Sequence, residues 1–184
     1  PPSFTKGSNP TVLEDAGAVS IANWATAISP GPGEGSQSVS FEVDLQGNGD
    51  QFQVPPAVSS NGTLSFTPAA NHFGLANIRV RARDNGGTSN GGVDVSPWQG
   101  VSITITAVND PPTVTFADPV TVLEDSGAQT IPGYVTSVSP GPGNEAGQTV
   151  SYSVTSVNIP SLFAVAPVLS SNGTLTFTPA PNAF

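Results

Sequence analysis

The chain contains no cysteine and no methionine, a single histidine, and only four basic residues against 13 acidic ones. Without cysteine there is no disulfide framework, no thiolate metal site and no cysteine nucleophile. The formal net charge of −9 leaves no basic surface for nucleic acid, and anionic lipid headgroups would repel the chain. No apolar run is long enough to cross a bilayer. We therefore expect neither nucleic-acid binding nor membrane insertion, while the excess of carboxylates favours cations as ligands.

What the sequence does contain is a duplication. Val12-Leu13-Glu14-Asp15 returns as Val122-Leu123-Glu124-Asp125. Two further segments return in the same order, Ser29–Gly33 as Ser139–Gly143 and Ser59–Leu64 as Ser170–Leu175. Repeats of this length form separate folded domains rather than the turns of a solenoid. The duplication predicts a domain at 1–110 and a second repeat at 111–184.

Apolar residues alternate with small polar ones in short segments, which predicts β-strands and no helices. In repeat 1 the pattern predicts a strand near Phe4 and others at Thr11–Leu13, Ala18–Ile21, Ser38–Leu45, Gln51–Val54, Thr63–Phe66, Ile78–Ala82 and Val101–Ala107. In repeat 2 it predicts Thr113–Phe116, Thr121–Leu123, Gln129–Ile131, Thr149–Val154, Leu162–Val165 and Thr174–Phe177. About seven short strands, as predicted for repeat 1, is typical of an immunoglobulin-like β-sandwich.

The second repeat is incomplete in this sequence. Phe184 aligns with Phe73, so the residues that would match 74–110, with the last two strands of the repeat, are missing. A sandwich without those strands would expose its inner faces and an unpaired strand edge. Two explanations stay open: the remainder lies outside this sequence, or strands from a neighbouring copy complete the sandwich.

Acidic and amide residues follow the ends of several predicted strands. Val80-x-Ala82-x-Asp84-x-Gly86 resembles the V-x-A-x-D-x-G pattern of cadherins, and Asn109-Asp110-Pro111-Pro112 resembles the linkers of bacterial cadherin-like repeats. Glu14 occupies the place of the early acidic residue of a cadherin repeat. The resemblance implies tandem Greek-key sandwiches of the cadherin-like type, as found in large adhesins and repeat proteins that are extracellular or on the cell surface.

The resemblance also implies calcium, because cadherins bind it at these positions between successive domains. Calcium takes about six to eight oxygen ligands. The implied metal ligands are Glu14, Asp15, Asp84, Asn109, Asp110, Glu124 and Asp125. Glu14, Asn109 and Asp110 are expected to meet at one end of repeat 1, and Asp84 is expected at the opposite end. The structural alternative is that Glu14 and Asp15 cap a turn while Asp110 forms an Asx-turn.

No group of residues has a spacing that indicates catalysis. The only histidine, His72, is replaced by Ala183 in the second repeat, and no predicted helix follows a nucleophile elbow. We expect no enzyme activity and no catalytic residues. Asn61-Gly62-Thr63 matches the N-glycosylation triplet, but its Asn-Gly pair favours a type I′ hairpin turn.

Together these features predict an extracellular structural segment of a surface adhesin or fibre that acts as a rigid spacer and assembles by strand exchange between subunits. Its expected partners are neighbouring copies of itself and cell-surface carbohydrate. The alternative is a carbohydrate-binding module, with Trp98 as the stacking residue, or an accessory domain of a secreted hydrolase.

Overall fold

The structure, a computed structural model, describes residues 1–183 and consists mainly of β-strands and the loops between them. The predicted all-β class is confirmed. Helical structure among these residues is confined to single 3-10 turns at Gly49–Gln51, Ser89–Gly91, Gly143–Glu145 and Pro160–Leu162. None of the helices described within 1–183 has the length and apolarity needed to cross a bilayer.

The chain divides into two compact units, Pro1–Val108 (unit 1) and Asn109–Phe184 (unit 2). The strands of unit 1 are β1 (Ser3–Lys6), β2 (Thr11–Leu13), β3 (Val19–Ile21), β4 (Ala25–Ser29), β5 (Val39–Asp44), β6 (Phe52–Val58), β7 (Leu64–Pro68), β8 (Gly74–Asp84) and β9 (Gln99–Thr106). One sheet has the order β2-β9-β8-β5, a second has the order β3-β7-β6, and β1 pairs with β4.

The long strands β8 and β9 form the centre of unit 1. They pair antiparallel with each other, and each has one outer neighbour, β5 beside β8 and β2 beside β9. Half of the buried core residues lie on these two strands: Ala76, Ile78, Val80, Ala82, Val101, Ile103 and Ile105. The other half are Phe4, Trp24, Ala25, Phe52, Val58, Leu64 and Phe66. The core of unit 1 therefore depends equally on β8–β9 and on the strands that precede them.

Unit 2 repeats the pairings of the first part of unit 1. Its strands are β10 (Thr113–Phe116), β11 (Gln129–Ile131), β12 (Val135–Ser139), β13 (Phe163–Leu169) and β14 (Leu175–Pro179). β10 pairs with β12 as β1 does with β4, and β14 lies between β11 and β13 as β7 lies between β3 and β6. The duplication seen in the sequence is thus also a duplication of strand pairing.

Two strands predicted in repeat 2 are wrong. Residues 121–123 and 149–154 form no strand, although 121–123 has the same Thr-Val-Leu sequence as β2. The reason lies in the pairing of their counterparts in unit 1, because β2 pairs only with β9 and β5 only with β8. Within residues 109–183 no strand corresponds to β8 or β9. A segment without a ladder partner leaves its backbone groups to water and does not persist as a strand.

The strand at Ala25–Ser29 is not predicted by the sequence pattern, since β4 breaks its own alternation. Ala27 within it has a positive φ of 50°. β6, predicted to end before Pro55, continues through both prolines to Val58. The two prolines fall where its pairing with β7 is irregular, and β6 lies at the edge of its sheet, which is where a strand tolerates proline.

The turn between β6 and β7 has a different type from the one predicted. Gly62 has a φ of 86°, but Asn61 has no positive φ. A type I′ turn requires positive φ at both central residues, so that prediction is wrong. The Gly62 N–H instead donates to the Ser59 carbonyl at 2.8 Å, and the Ser59 hydroxyl donates to the Asn61 side chain at 2.5 Å.

Candidate functional site

Glu14 is held in unit 1 by the end of β9. The parallel pairing of β2 with β9 places Leu13 opposite Thr106, and the Glu14 N–H donates to the Thr106 carbonyl at 2.9 Å. The Glu14 side chain is fully buried (0% exposed), and its Oε1 accepts from the Val108 N–H at 2.9 Å. This carboxylate therefore fixes the backbone of the last residue of unit 1.

The aspartates that follow the two glutamates have a local role in both units. Asp15 and Asp125 each have a φ of 58°. Asp15 Oδ1 accepts from the Asn71 N–H at 3.2 Å, and Asp125 Oδ1 accepts from the Asn182 N–H at 3.4 Å. Each aspartate thus holds the loop that follows β7 or β14. This contact supports the structural alternative stated for Asp15.

Glu124 has a different environment from its counterpart Glu14. Glu124 is exposed, as is Leu123 beside it at 81%. Glu14 is buried under the end of β9 and the residues after it, and the described part of unit 2 has no such strand. The shared Val-Leu-Glu-Asp sequence therefore does not by itself define a shared site.

Asp84 lies at the other end of the four-stranded sheet of unit 1. The register places Gly74 opposite Ile105, at the Glu14 end, and Asp84 opposite Val39. Asp84 is only 6% exposed. Its Oδ1 accepts from the Gly86 N–H at 2.8 Å, while its Oδ2 is buried and accepts no hydrogen bond from the residues described.

Two side chains from the loop between β4 and β5, Glu34 and Gln37, also carry a buried oxygen that accepts no hydrogen bond from the residues described. The Gln37 amide packs directly on Gly86, where any side chain would overlap it. The Gln37 N–H also donates to the Glu34 carbonyl at 2.9 Å. Glu34 Oε2 and Gln37 Oε1 are buried and, like Asp84 Oδ2, accept no hydrogen bond from the residues described. Glu34 Oε2 lies 4.0 Å from the amino group of Pro1. We call Glu34, Gln37 and Asp84 the acidic cluster.

In unit 2 the counterpart of Glu34 is Glu145, which bonds to the backbone at the start of that unit. Glu145 is 5% exposed, and its Oε1 accepts from the Asp110 N–H at 2.7 Å. Its Oε2 is buried and accepts no hydrogen bond within the part of the chain that the structure describes. Asn109 is exposed, and its side-chain amide donates to the Asp110 carbonyl at 3.0 Å. The backbone of Asp110 is thus fixed by Glu145.

Sequence reasoning missed Glu34 and Glu145. The available signal is that an acidic residue follows Ser-Pro-Gly-Pro-Gly in both copies, at Glu34 directly and at Glu145 after Asn144. The glycines of this segment leave room for the glutamate to fold back, because a side chain at Gly31 or Gly141 would collide with the carboxylate of the following glutamate. A recurring acid beside a recurring glycine therefore indicates a folded-back carboxylate.

The arginines of the chain all lie on β8, on the face opposite the core. Arg79 pairs with Asp44 at 2.6 Å and Arg81 with Glu42 at 2.7 Å. Arg83 bonds both Glu42 and Asp94. Hydrogen bonds from Arg83 and then Arg81 lower the pKa of Glu42, and the Gln46 N–H followed by Arg79 lowers the pKa of Asp44. These pairs tie β8 to β5 on the solvent side.

Trp98 takes part in the same surface. The guanidinium carbons of Arg79 and Arg81 lie 4.8 and 4.5 Å from the centre of its ring. Such contacts are cation–π interactions, and they involve the ring that the carbohydrate-binding alternative requires. Trp24, by contrast, is 3% exposed in the core, and its indole N–H donates to the Ser8 carbonyl at 3.0 Å.

Among residues 1–183, no three or more His, Cys, Asp or Glu side chains are grouped closely enough to hold a metal ion by themselves. His72 is exposed, and its Nδ1 lies 2.9 Å from the Ala70 carbonyl, a contact within its own loop. The chain matches no protein-family model and no curated protein.

Proposed function

We propose that this chain is an extracellular structural segment of a surface adhesin or fibre, built from tandem immunoglobulin-like repeats of the cadherin-like type. The strand order β2-β9-β8-β5, with β2 parallel to β9, supports this architecture. So does the shared core between that sheet and β3-β7-β6, since two sheets packed on one core define a sandwich.

The observation that carries the spacer function is the anchoring of the connecting segment. The Val108 N–H is bonded to Glu14 within unit 1, and the Asp110 N–H is bonded to Glu145 within unit 2. Both carboxylates are buried, where a hydrogen bond to a charged group is strong. Only Asn109 lies between the two anchored residues. A connection this short, fixed at each end to its own domain, suits a stiff spacer.

Backbone hydrogen exchange of the full chain tests the anchoring. The Val108 and Asp110 amides should exchange slowly, because each is bonded to a buried carboxylate. Glu14→Ala should accelerate exchange at Val108 alone, and Glu145→Ala at Asp110 alone. Glu124→Ala, at an exposed glutamate, is the control and should change neither. If both amides exchange at unprotected rates in the native chain, the spacer proposal fails.

We further propose that the spacer binds calcium through the acidic cluster. Calcium prefers carboxylate and amide oxygens, and Glu34, Gln37 and Asp84 each have a buried oxygen that accepts no hydrogen bond from the residues described. Of the ligands predicted from the sequence, Asp84 belongs to this group. Three protein oxygens are fewer than calcium needs, so water or further residues would complete the coordination.

Thermal unfolding with and without chelator tests the calcium proposal. Calcium at 100 times its dissociation constant should stabilise the native chain by about 2.7 kcal/mol. Asp84→Asn should remove most of that gain by removing a charged ligand. Asp50→Asn, at an exposed aspartate on the 3-10 turn Gly49–Gln51, should retain it. An unfolding temperature that does not move in a large excess of calcium would exclude the site.

A further inference from the structure

The chain has an asparagine followed directly by a glycine at five places: Asn48, Asn61, Asn85, Asn90 and Asn172. Such a pair can react with itself, because the backbone nitrogen of the glycine can attack the side-chain carbonyl carbon of the asparagine. Glycine hinders this attack least, since it has no Cβ. The reacting groups are the same in all five pairs, so differences in their reactivity must come from the fold around them.

Two groups must be free to move before an Asn-Gly pair can cyclise. The asparagine side chain must rotate until its carbonyl carbon meets the next backbone nitrogen. That nitrogen must also be released from any hydrogen bond in which it is the donor. A hydrogen bond that holds either group has to open first, so the rate of the reaction follows the local opening of the chain.

The pairs that begin at Asn61 and Asn172 are held at both groups. Asn61 Oδ1 accepts from the Ser59 hydroxyl at 2.5 Å and from the Thr63 N–H at 3.2 Å. The Gly62 N–H donates to the Ser59 carbonyl at 2.8 Å. Asn172 has the same three hydrogen bonds in the turn before β14. Neither pair can cyclise without the opening of its turn.

The pairs that begin at Asn48 and Asn85 are held by bonds to distant parts of the chain. The side-chain nitrogen of Asn48 donates to the Asn77 carbonyl of β8 at 2.7 Å. Asn85 Oδ1 accepts from the Ser38 N–H at 2.9 Å. The Gly86 N–H donates at 2.8 Å to a carboxylate oxygen of the acidic cluster. These side chains are therefore restrained by the tertiary structure of unit 1.

Asn90 has none of these restraints. It lies on the 3-10 turn Ser89–Gly91, between β8 and β9, and all residues from 85 to 93 are exposed. Its side chain makes no hydrogen bond with the residues that the structure describes. Its φ of 54° interrupts the helical geometry of the turn, and hydrogen bonds in 3-10 turns have poor geometry. A turn of this kind requires little free energy to open.

We propose that Asn90 is a site of spontaneous deamidation and the first of the five asparagines to react in the folded chain. The Gly91 nitrogen forms a bond to Cγ of Asn90 and gives up its proton, and the side-chain nitrogen leaves as ammonia. Water then opens the resulting succinimide ring at either carbonyl, which gives aspartate or isoaspartate. Each event adds a carboxylate to a chain whose net charge is already −9.

Peptide mapping by mass spectrometry, on the full chain stored at neutral pH, tests this order. Conversion at Asn90 should be about tenfold faster or more than at the other four sites, because their hydrogen bonds must open first. In urea that unfolds both units, the five rates should become similar. Asn90→Gln should leave only the slow conversions, because glutamine must close a larger ring. Asn61→Gln is the matched control and should leave the rate at Asn90 unchanged.

Three results would overturn the proposal. The first is conversion at any of the other four sites as fast as at Asn90 in the folded chain. The second is an unmodified Asn90 after a time in which most of the unfolded chain has reacted. The third is the same order of rates in urea as in the folded chain, since local sequence would then set that order. None of these results bears on the spacer or calcium proposals, which are tested separately.

Discussion

Glu14 and Glu124 stand at the same position of the duplicated sequence and have opposite environments. Glu14 is fully buried and bonded to a backbone N–H, whereas Glu124 is exposed. The difference is that Glu14 is bonded to the end of β9 and the residues after it, whereas the described part of unit 2 has no corresponding strand beside Glu124. Burial of a carboxylate is tolerated when hydrogen bonds compensate for the lost water. At the scale of the residue, function therefore depends on the neighbouring strand as much as on the side chain.

Because of the ion pairs on the outer face of β8, we predict that the stability of unit 1 depends on pH. Arg83 and Arg81 lower the pKa of Glu42 in the folded state. The stabilisation from these ion pairs is therefore complete at pH values above the pKa of a glutamate in the unfolded chain, about 4.3. It is lost as the pH falls through the lower pKa that Glu42 has in the folded chain. Glu42→Gln should reduce the stability of unit 1 at pH 7 by up to about 1 kcal/mol, the range of exposed pairs.

This difference between variant and native chain should disappear in acid. Denaturant unfolding followed by tryptophan fluorescence measures it, because both tryptophans, Trp24 and Trp98, belong to unit 1. Asp50→Asn serves as the control and should show no comparable loss at pH 7. A Glu42→Gln deficit of constant size from pH 7 to pH 3 would show that the ion pairs are not its source.

At the scale of the element, identical segments behave differently according to their partners. Thr-Val-Leu forms β2 in unit 1 and no strand at 121–123 in unit 2. The same holds for β5 and residues 149–154. The local sequence allows a segment to form a strand, but the strand is stable only when a neighbouring strand pairs with it.

Matched leucines give a second prediction. Leu64 is fully buried, and Leu175 is half-buried at the same place in β14. Leu64→Ala should destabilise unit 1 by about 2–5 kcal/mol, the cost of a cavity in a packed core. Leu175→Ala should cost unit 2 well under that range, because its side chain is already partly in water. Tryptophan fluorescence follows unit 1, and hydrogen exchange of β14 follows unit 2. Equal losses would contradict the difference in packing.

The sequence predicts the class and most strand positions because alternation and turn residues are local signals. Residues 113–116 and 129–131 are strands as expected. It does not predict that 121–123 stays irregular, since that depends on a strand distant along the chain. Glu34 and Glu145 were missed for a similar reason: their carboxylates fold back onto glycine, and nothing in a single copy distinguishes them from exposed acids. Asp84 was found because a motif places it at the end of β8.

At the scale of the whole molecule, the proposed spacer function requires that the segment connecting the two units be stiff. Each unit fixes its own end of the connecting segment through a buried glutamate, and only Asn109 lies between the anchored residues. The account predicts that flexibility at this point is small and depends on Glu14 and Glu145. Calcium at the acidic cluster would add stability within unit 1 and is a separate question.

The distance distribution between two spin labels, one in each unit, tests this stiffness most directly. The chain has no native cysteine, so Ser65→Cys and Ser137→Cys, both at exposed positions, provide clean attachment sites. The account predicts one narrow distribution in the native background. That distribution should broaden when Glu14→Ala and Glu145→Ala are combined and stay unchanged with Glu124→Ala. A broad distribution in the native background would contradict the proposal that this chain is a rigid spacer.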